Sequence, residues 1–193
     1  MKDSEFQTIP AQLEKIEEAT VESGFTMPSE RKSGSLLKTL ASSKPGGRFV
    51  ELGTGTGLST AWILSGMSED ATLDSVENDE DVLKIAHRYL GSDHRLTFHL
   101  ADAKQFIKQA APNSFDMVFA DAWPGKYNLL DETLALLKMG GLYVIDDMSP
   151  QPNWPDGHHK KVADLLETLN QEENLSVCRI EWATGIVICT RTS

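Results

Sequence analysis

The sequence predicts an α/β fold: a doubly wound, mostly parallel sheet of seven strands, closed by an antiparallel hairpin at its C-terminal end. Three observations lead there. Strand-like and helix-like runs alternate from residue 49 to about 170, an order that stacks parallel strands between helices on both faces. The last two strand-like runs, 175–182 and 185–190, are parted only by Ala183-Thr184, a gap short enough for a hairpin. The first apolar run, Phe49-Val50-Glu51-Leu52, ends in Gly53-Thr54-Gly55-Thr56-Gly57-Leu58 and passes straight into a helix-like stretch from Ser59 to Leu64. A glycine at every second position lets backbone approach a ligand closely, and the following helix turns its free N–H groups to the same place.

Taken in order, residues 1–23 read as an acidic amphipathic helix with Leu13, Ile16 and Val21 on one face, ended by Gly24. Pro28-Ser29-Glu30 opens a second helix whose apolar side is Leu36, Leu37 and Leu40, and Lys44-Pro45-Gly46-Gly47 breaks it. The joint Phe25-Thr26-Met27 is a candidate lid over the glycine turn. Strands are then expected at 71–77, 95–100, 115–120 and 141–145, and helices at 79–90, 103–110, 127–138 and 158–170. At 193 residues the chain suits one domain, with helices over 1–44 and the ligand-binding core over 45–193.

Charge narrows the function. The net charge is −11, from 29 acidic against 18 basic residues. That balance repels a nucleic-acid backbone, which calls for clustered Lys and Arg. No apolar run is long enough to cross a membrane, and the N-terminal residues lack the layout of a signal peptide. With only Cys178 and Cys189, reduced cysteines and a cytoplasmic setting are expected. The expected partner is a small molecule, with no nucleic acid and no membrane. Oligomeric state is not legible, a homodimer included.

The glycine turn admits two ligands. The dinucleotide fingerprint places its third glycine at the position that Leu58 holds here. Glu51, two residues before the first glycine, would repel a pyrophosphate and attract an ammonium or sulfonium. S-adenosylmethionine carries both. The strand ends that bind ligands in such sheets carry further acids: Glu77, Asp102, Asp121 and the pair Asp146-Asp147. Glu77 stands where a carboxylate accepts hydrogen bonds from ribose hydroxyls. Asp102 alone serves equally as a helix cap. Asp121, Asp146 and Asp147 end neighbouring strands and should converge, and like charges at close range need a cation to offset them. Mg²⁺ or Ca²⁺, Lys126, or a cationic substrate would each do so.

Together these residues resemble the class I S-adenosylmethionine-dependent methyltransferases with a Rossmann-like fold. The likeness is closest to the cation-dependent O-methyltransferases of the catechol and caffeoyl-CoA type, and runs from about Pro28 to the C-terminus. Val50-Glu51-Leu52-Gly53-Thr54-Gly55-Thr56-Gly57 matches the cofactor motif. Phe119-Ala120-Asp121-Ala122-Trp123, with Tyr127 beyond, resembles the first metal motif, and Ile145-Asp146-Asp147 the second. The resemblance implies that Glu51, Gly53, Thr54, Gly55, Gly57 and Ser59 hold the methionine end of the cofactor and Glu77 the ribose. It sets Asp102 and Ala103 toward the adenine, with Asp121 and Trp123 also at the cofactor. It makes Asp121, Asp146 and Asp147 ligands of Mg²⁺ or Ca²⁺. Two positions depart from the pattern: Pro124 replaces the usual base lysine, and Asp147 the usual Asn. Lys126, with Asp121, is the nearest catalytic candidate, and His158 and His159 follow the second motif. The expected activity is methyl transfer to an oxygen of a small acceptor. Phe25, Met27, Trp123 and Trp154 suggest that this acceptor is apolar or aromatic. A non-catalytic protein that binds S-adenosylmethionine and a nicotinamide-dependent oxidoreductase are the alternatives.

Overall fold

Strand β1 (Arg48–Leu52) is buried from Phe49 onward and lies inside a seven-stranded sheet. The other strands are β2 (Thr72–Glu77), β3 (Leu96–Leu100), β4 (Phe115–Ala120), β5 (Leu137–Ile145), β6 (Leu175–Ile180) and β7 (Ile186–Arg191). Their order across the sheet is β3-β2-β1-β4-β5-β7-β6. The first five pair in parallel, and β7 runs antiparallel to both β5 and β6. This computed structural model describes residues 8–152 and 154–193; residues 1–7 of the expected first helix and Asn153 lie outside them. In the described part of that expected helix, residues 8–12, with Pro10 among them, precede a helix that starts only at Leu13.

The helices are α1 (Leu13–Ser23), α2 (Arg31–Ser42), α3 (Leu58–Gly66), α4 (Glu80–Leu90), α5 (Ala103–Gln109), α6 (Leu130–Ala135) and α7 (His158–Gln171). They divide the core in two. On one sheet face Leu13, Ile16, Leu37, Trp62 and Leu90 from α1–α4 pack on Phe49, Leu73, Met117 and Phe119. On the other, Ile107, Leu134, Val162 and Leu165 from α5–α7 pack on Val50, Val118, Tyr143 and Ile145. Strands buried on both faces read as continuous apolar runs, which is why β1 and β4 stand out in the sequence.

Three details differ from the expectation. On α1, Val21 is 80% exposed and Thr20 takes the inner face. The Thr20 hydroxyl donates to Ile16 O (2.6 Å) and meets Thr56 Oγ1 (2.7 Å), so two hydrogen bonds offset its burial. The helix expected over 127–138 is confined to α6, and β5 starts at Leu137. There Leu137 pairs with Phe115 ahead of a register shift, and Gly140 adopts φ 73°. A leucine-rich run with helical spacing thus yields to a strand partner and a bulge. The hairpin turn is also wider than two residues, spanning 181–185, with β6 ending at Ile180.

Candidate active site

The order of the sheet reverses between β1 and β4, and this is where ligands settle in doubly wound folds. Both neighbours tie the β1–α3 turn down: Gly53 and Thr54 donate their N–H groups to Val76 O (3.0 and 3.1 Å), and Asp121 N donates to Leu52 O (2.9 Å). Gly57 has φ 95°, and a Cβ there would lie 2.9 Å from the Cβ of Ala86. That glycine therefore lets α4 seat against the turn rather than touching a ligand.

Beside the turn opens a cavity of 510 Å³. Gly53, Thr54 and Gly55 form its floor, Glu77 and Asp102-Ala103 one side, Asp121 and Trp123 the other. Phe25 and the largely exposed Met27 line its rim, Phe25 standing 3.4 Å from where a Gly55 Cβ would be. Glu77 accepts hydrogen bonds from the N–H groups of Gly55 (2.9 Å), Asn78 (2.8 Å) and Asp79 (3.1 Å). Asp102 caps α5, accepting from Lys104 N (2.8 Å), and lines the cavity as well.

Three of the expected cofactor residues lie elsewhere. Glu51, Gly57 and Ser59 do not line the cavity; Glu51 is fully buried behind the turn. Its Oε2 accepts from Thr60 Oγ1 (2.5 Å) and Ser75 Oγ (2.6 Å), and Ser75 in turn meets Thr54 Oγ1 (2.6 Å). A chain of hydroxyls thus links the carboxyl to the cavity floor. Burial pushes Glu51 up to about 7, against the pull of the Ser59, Ser75 and Thr60 hydroxyls.

A second cavity of 300 Å³ adjoins the first. Met27, Pro28, Ser29, Asp121, Trp123 and Asp147 line both. Its far wall is aromatic: the His158 ring lies 5.8 Å from Trp123, 5.3 Å from Tyr127 and 4.6 Å from Trp154, centre to centre. His158 Nε2 and the Tyr127 hydroxyl share a hydrogen bond of 3.2 Å. Burial, with Lys126 and Lys161 nearby, holds His158 below the ordinary imidazole range, so it is neutral at pH 7. Burial and Asp147 push the Tyr127 hydroxyl up to about 12, so it keeps its proton.

The three aspartates meet in this second cavity together with Glu30 and Lys126. Ser29 Oγ donates to Asp121 Oδ2 (3.3 Å), and Asp146 Oδ1 accepts from Thr184 Oγ1 and from Asp147 N (2.9 Å). Burial raises Asp121 well above the usual carboxylate range; Lys126 opposes the shift, while Asp146 and Asp147 add to it. Asp147, with φ 59°, is raised by burial as well. Thr184, Glu30 and Gln151 carry no motif in the sequence; they come from a hairpin turn, a helix start and an irregular loop.

A family model for O-methyltransferases matches residues 4–192. An O-methyltransferase-family protein of Mycobacterium ulcerans (strain Agy99) is 27% identical over 168 residues, covering 82% of this chain and 75% of that one. The O-methyltransferase TomG of Streptomyces achromogenes, solved with S-adenosylmethionine, superposes with a TM-score of 0.82 at 24% identity, covering 96% of this chain and 92% of its own. An O-methyltransferase of Bacillus cereus, solved with S-adenosylhomocysteine, gives 0.84 at 17% identity, covering 97% and 93%. The nicotinamide alternative falls with the family match, and the chain belongs to the O-methyltransferase family, as a class I S-adenosylmethionine-dependent enzyme.

Proposed function

We propose that the larger cavity holds S-adenosylmethionine and the smaller one a hydroxylated aromatic acceptor, so that methyl transfer takes place across their shared wall. The observation that carries this reading is the pair of adjoining cavities with Asp121, Trp123 and Asp147 common to both. The larger one suits the cofactor chemically. Glu77 would take the ribose hydroxyls, Asp102 and Ala103 would stand at the adenine, and the open glycine floor would take the methionine end. Glu51, Gly57 and Ser59 act from behind, by holding the floor in shape. When bound, the cofactor supplies a methyl group on a cationic sulfur, already primed for in-line displacement.

The protein's own part is alignment, exclusion of water and removal of one proton. The candidate lid residues Phe25 and Met27 shield the cofactor side, and Trp123, Tyr127 and Trp154 offer flat apolar faces to an acceptor ring. Neutral His158 is the base that the missing lysine at position 124 leaves vacant, with the Tyr127 hydroxyl positioned to relay the proton.

Mg²⁺ or Ca²⁺ does not enter this reading. Carboxylates are the right donors, but such ions want about six or more oxygens at close range. Asp121, Asp146 and Asp147 line one cavity, but with Lys126 in place no three acidic, His or Cys side chains among the described residues group closely enough to hold an ion. Asp146 Oδ1 is taken up by Thr184 and the Asp147 N–H, and the ammonium of Lys126 already sits 2.8 Å from the Asp146 main-chain oxygen and 3.9 Å from Asp121 Oδ1.

The test is transfer of a labelled methyl group from S-adenosylmethionine to a panel of hydroxylated aromatics and matched aromatic amines. Labelled methyl ethers are expected as product. Cofactor binding with no transfer to any member would favour a binding protein without turnover.

A further inference from the structure

The acidic end of the acceptor cavity holds a cation that the fold itself provides. Pro124-Gly125 makes a tight turn in which Gly125 adopts φ 92°, its N–H donates to Asn128 O (2.8 Å) and the buried Tyr143 hydroxyl donates to its carbonyl. A Cβ at Gly125 would lie 2.5 Å from Leu52 Cδ1, so the turn is pressed against the sheet. The chain doubles back there, Lys126 N and Tyr127 N both donating to Trp123 O (3.2 and 2.9 Å). The next side chain, Lys126, is thereby carried inward and is only 4% exposed.

Burying a lysine needs partners, and Lys126 has them. Its Nζ donates to Asp146 O (2.8 Å) and stands 3.9 Å from Asp121 Oδ1. It is the sole Lys or Arg among the described residues that line the smaller cavity, against Glu30, Asp121, Asp146 and Asp147. An ammonium has three N–H donors. One is spent on Asp146 O, so the other two can serve an oxygen entering the cavity, with Asp121 at hand.

We infer that the Lys126 ammonium occupies the place of a divalent ion in this active site. On that inference it binds the acceptor hydroxyl and stabilises the oxygen as its proton leaves. The inference rests on the methyl-transfer reading above, and adds that the enzyme works without metal and prefers acceptors whose hydroxyl takes one point charge. No bond to Lys126 is made or broken: the acceptor proton passes to His158, and the ammonium keeps its own three.

Titration calorimetry with MgCl₂ and with CaCl₂, on the intact chain saturated with S-adenosylhomocysteine, tests it. The wild type is expected to bind neither ion up to millimolar concentration. Lys126→Met, which leaves the carboxylates without their ammonium, is expected to bind Ca²⁺ at least tenfold more tightly than the wild type, and to lose that binding when Asp121→Asn is added. Lys126→Gln, which is uncharged yet can still donate to Asp146 O, should do the same if the methionine variant does not fold. A wild type that binds either ion at one site below millimolar, with loss in Asp121→Asn, would overturn the inference. So would a lysine variant that binds S-adenosylhomocysteine but gains no ion. If both variants fail to fold, the wild-type titration decides alone. Absence of S-adenosylhomocysteine binding in the wild type would instead count against the cofactor reading, independently of the metal result.

Discussion

The two cavities meet along one wall but are made in different ways. The larger is shaped by backbone: a turn with φ of 102° at Gly53 and 54° at Gly55, pinned to β2 by hydrogen bonds from N–H groups, and a Glu77 that itself grips Gly55 N. The smaller is shaped by side chains from four separate segments, 26–30, 121–127, 146–158 and Thr184. A backbone-built site can bind the same small molecule in many relatives whatever the surrounding side chains. A side-chain-built site changes its ligand with every substitution. That contrast fits a common methyl donor on one side and a chain-specific acceptor on the other.

The largest effect that would separate the two sides is expected at His158. His158→Gln should lower kcat by about 10²-fold or more, the usual range for loss of a general base, while S-adenosylhomocysteine affinity stays within about twofold of wild type. The wild-type rate should rise with pH to a plateau, with a midpoint below the ordinary imidazole value because burial and two lysines disfavour the charged ring. The variant should lose that rise. An unaltered pH profile in the variant would remove His158 from proton transfer.

Next in size is the pH dependence of stability that Glu51 brings to the cofactor side. Its carboxyl is raised from 4.5 to about 7 in the folded state, chiefly by burial. The folded protein therefore holds this proton more tightly than the unfolded chain does. The stabilisation is fully present below about 4.5 and is lost as pH rises through about 7. Between these limits the loss amounts to about 3 kcal/mol, at ~1.4 kcal/mol per pKa unit. Glu51→Gln keeps an acceptor for Thr60 and Ser75 and does not titrate. Urea unfolding at pH 5 and pH 8 should show wild type losing more stability than the variant; parallel losses would mean that Glu51 is not the group responsible.

How far each side was legible follows the same division. Alternating glycines announce positive φ and close approach, and acids after apolar runs announce strand ends, so Gly53, Gly55, Glu77 and Asp102 were readable as cavity residues. Glu51 was readable as special but not as hidden, because sequence does not show that Ser75 and Thr60 from neighbouring elements enclose it. On the acceptor side Asp121 and Asp146-Asp147 were readable as convergent. The inward course of Lys126 was not, since it depends on the Gly125 turn seating against Leu52 and Tyr143. Thr184 gave no signal at all: a hairpin residue becomes part of the site only because β7 pairs with β5 and brings the turn to Asp146. Val21 and Thr20 make the point for packing, where two side-chain hydrogen bonds outweigh apolar spacing.

The central claim is that the backbone-built cavity is a site for the methyl donor, with Glu77 on its ribose. Calorimetric titration of the chain with S-adenosylhomocysteine, beside NADH as a control and beside Glu77→Ala, tests it most directly. The account predicts one site for S-adenosylhomocysteine, no heat from NADH, and affinity lowered roughly 10- to 100-fold in the variant, the worth of one or two hydrogen bonds to a charged group. Binding of NADH in place of S-adenosylhomocysteine, or equal affinity in wild type and Glu77→Ala, would contradict it.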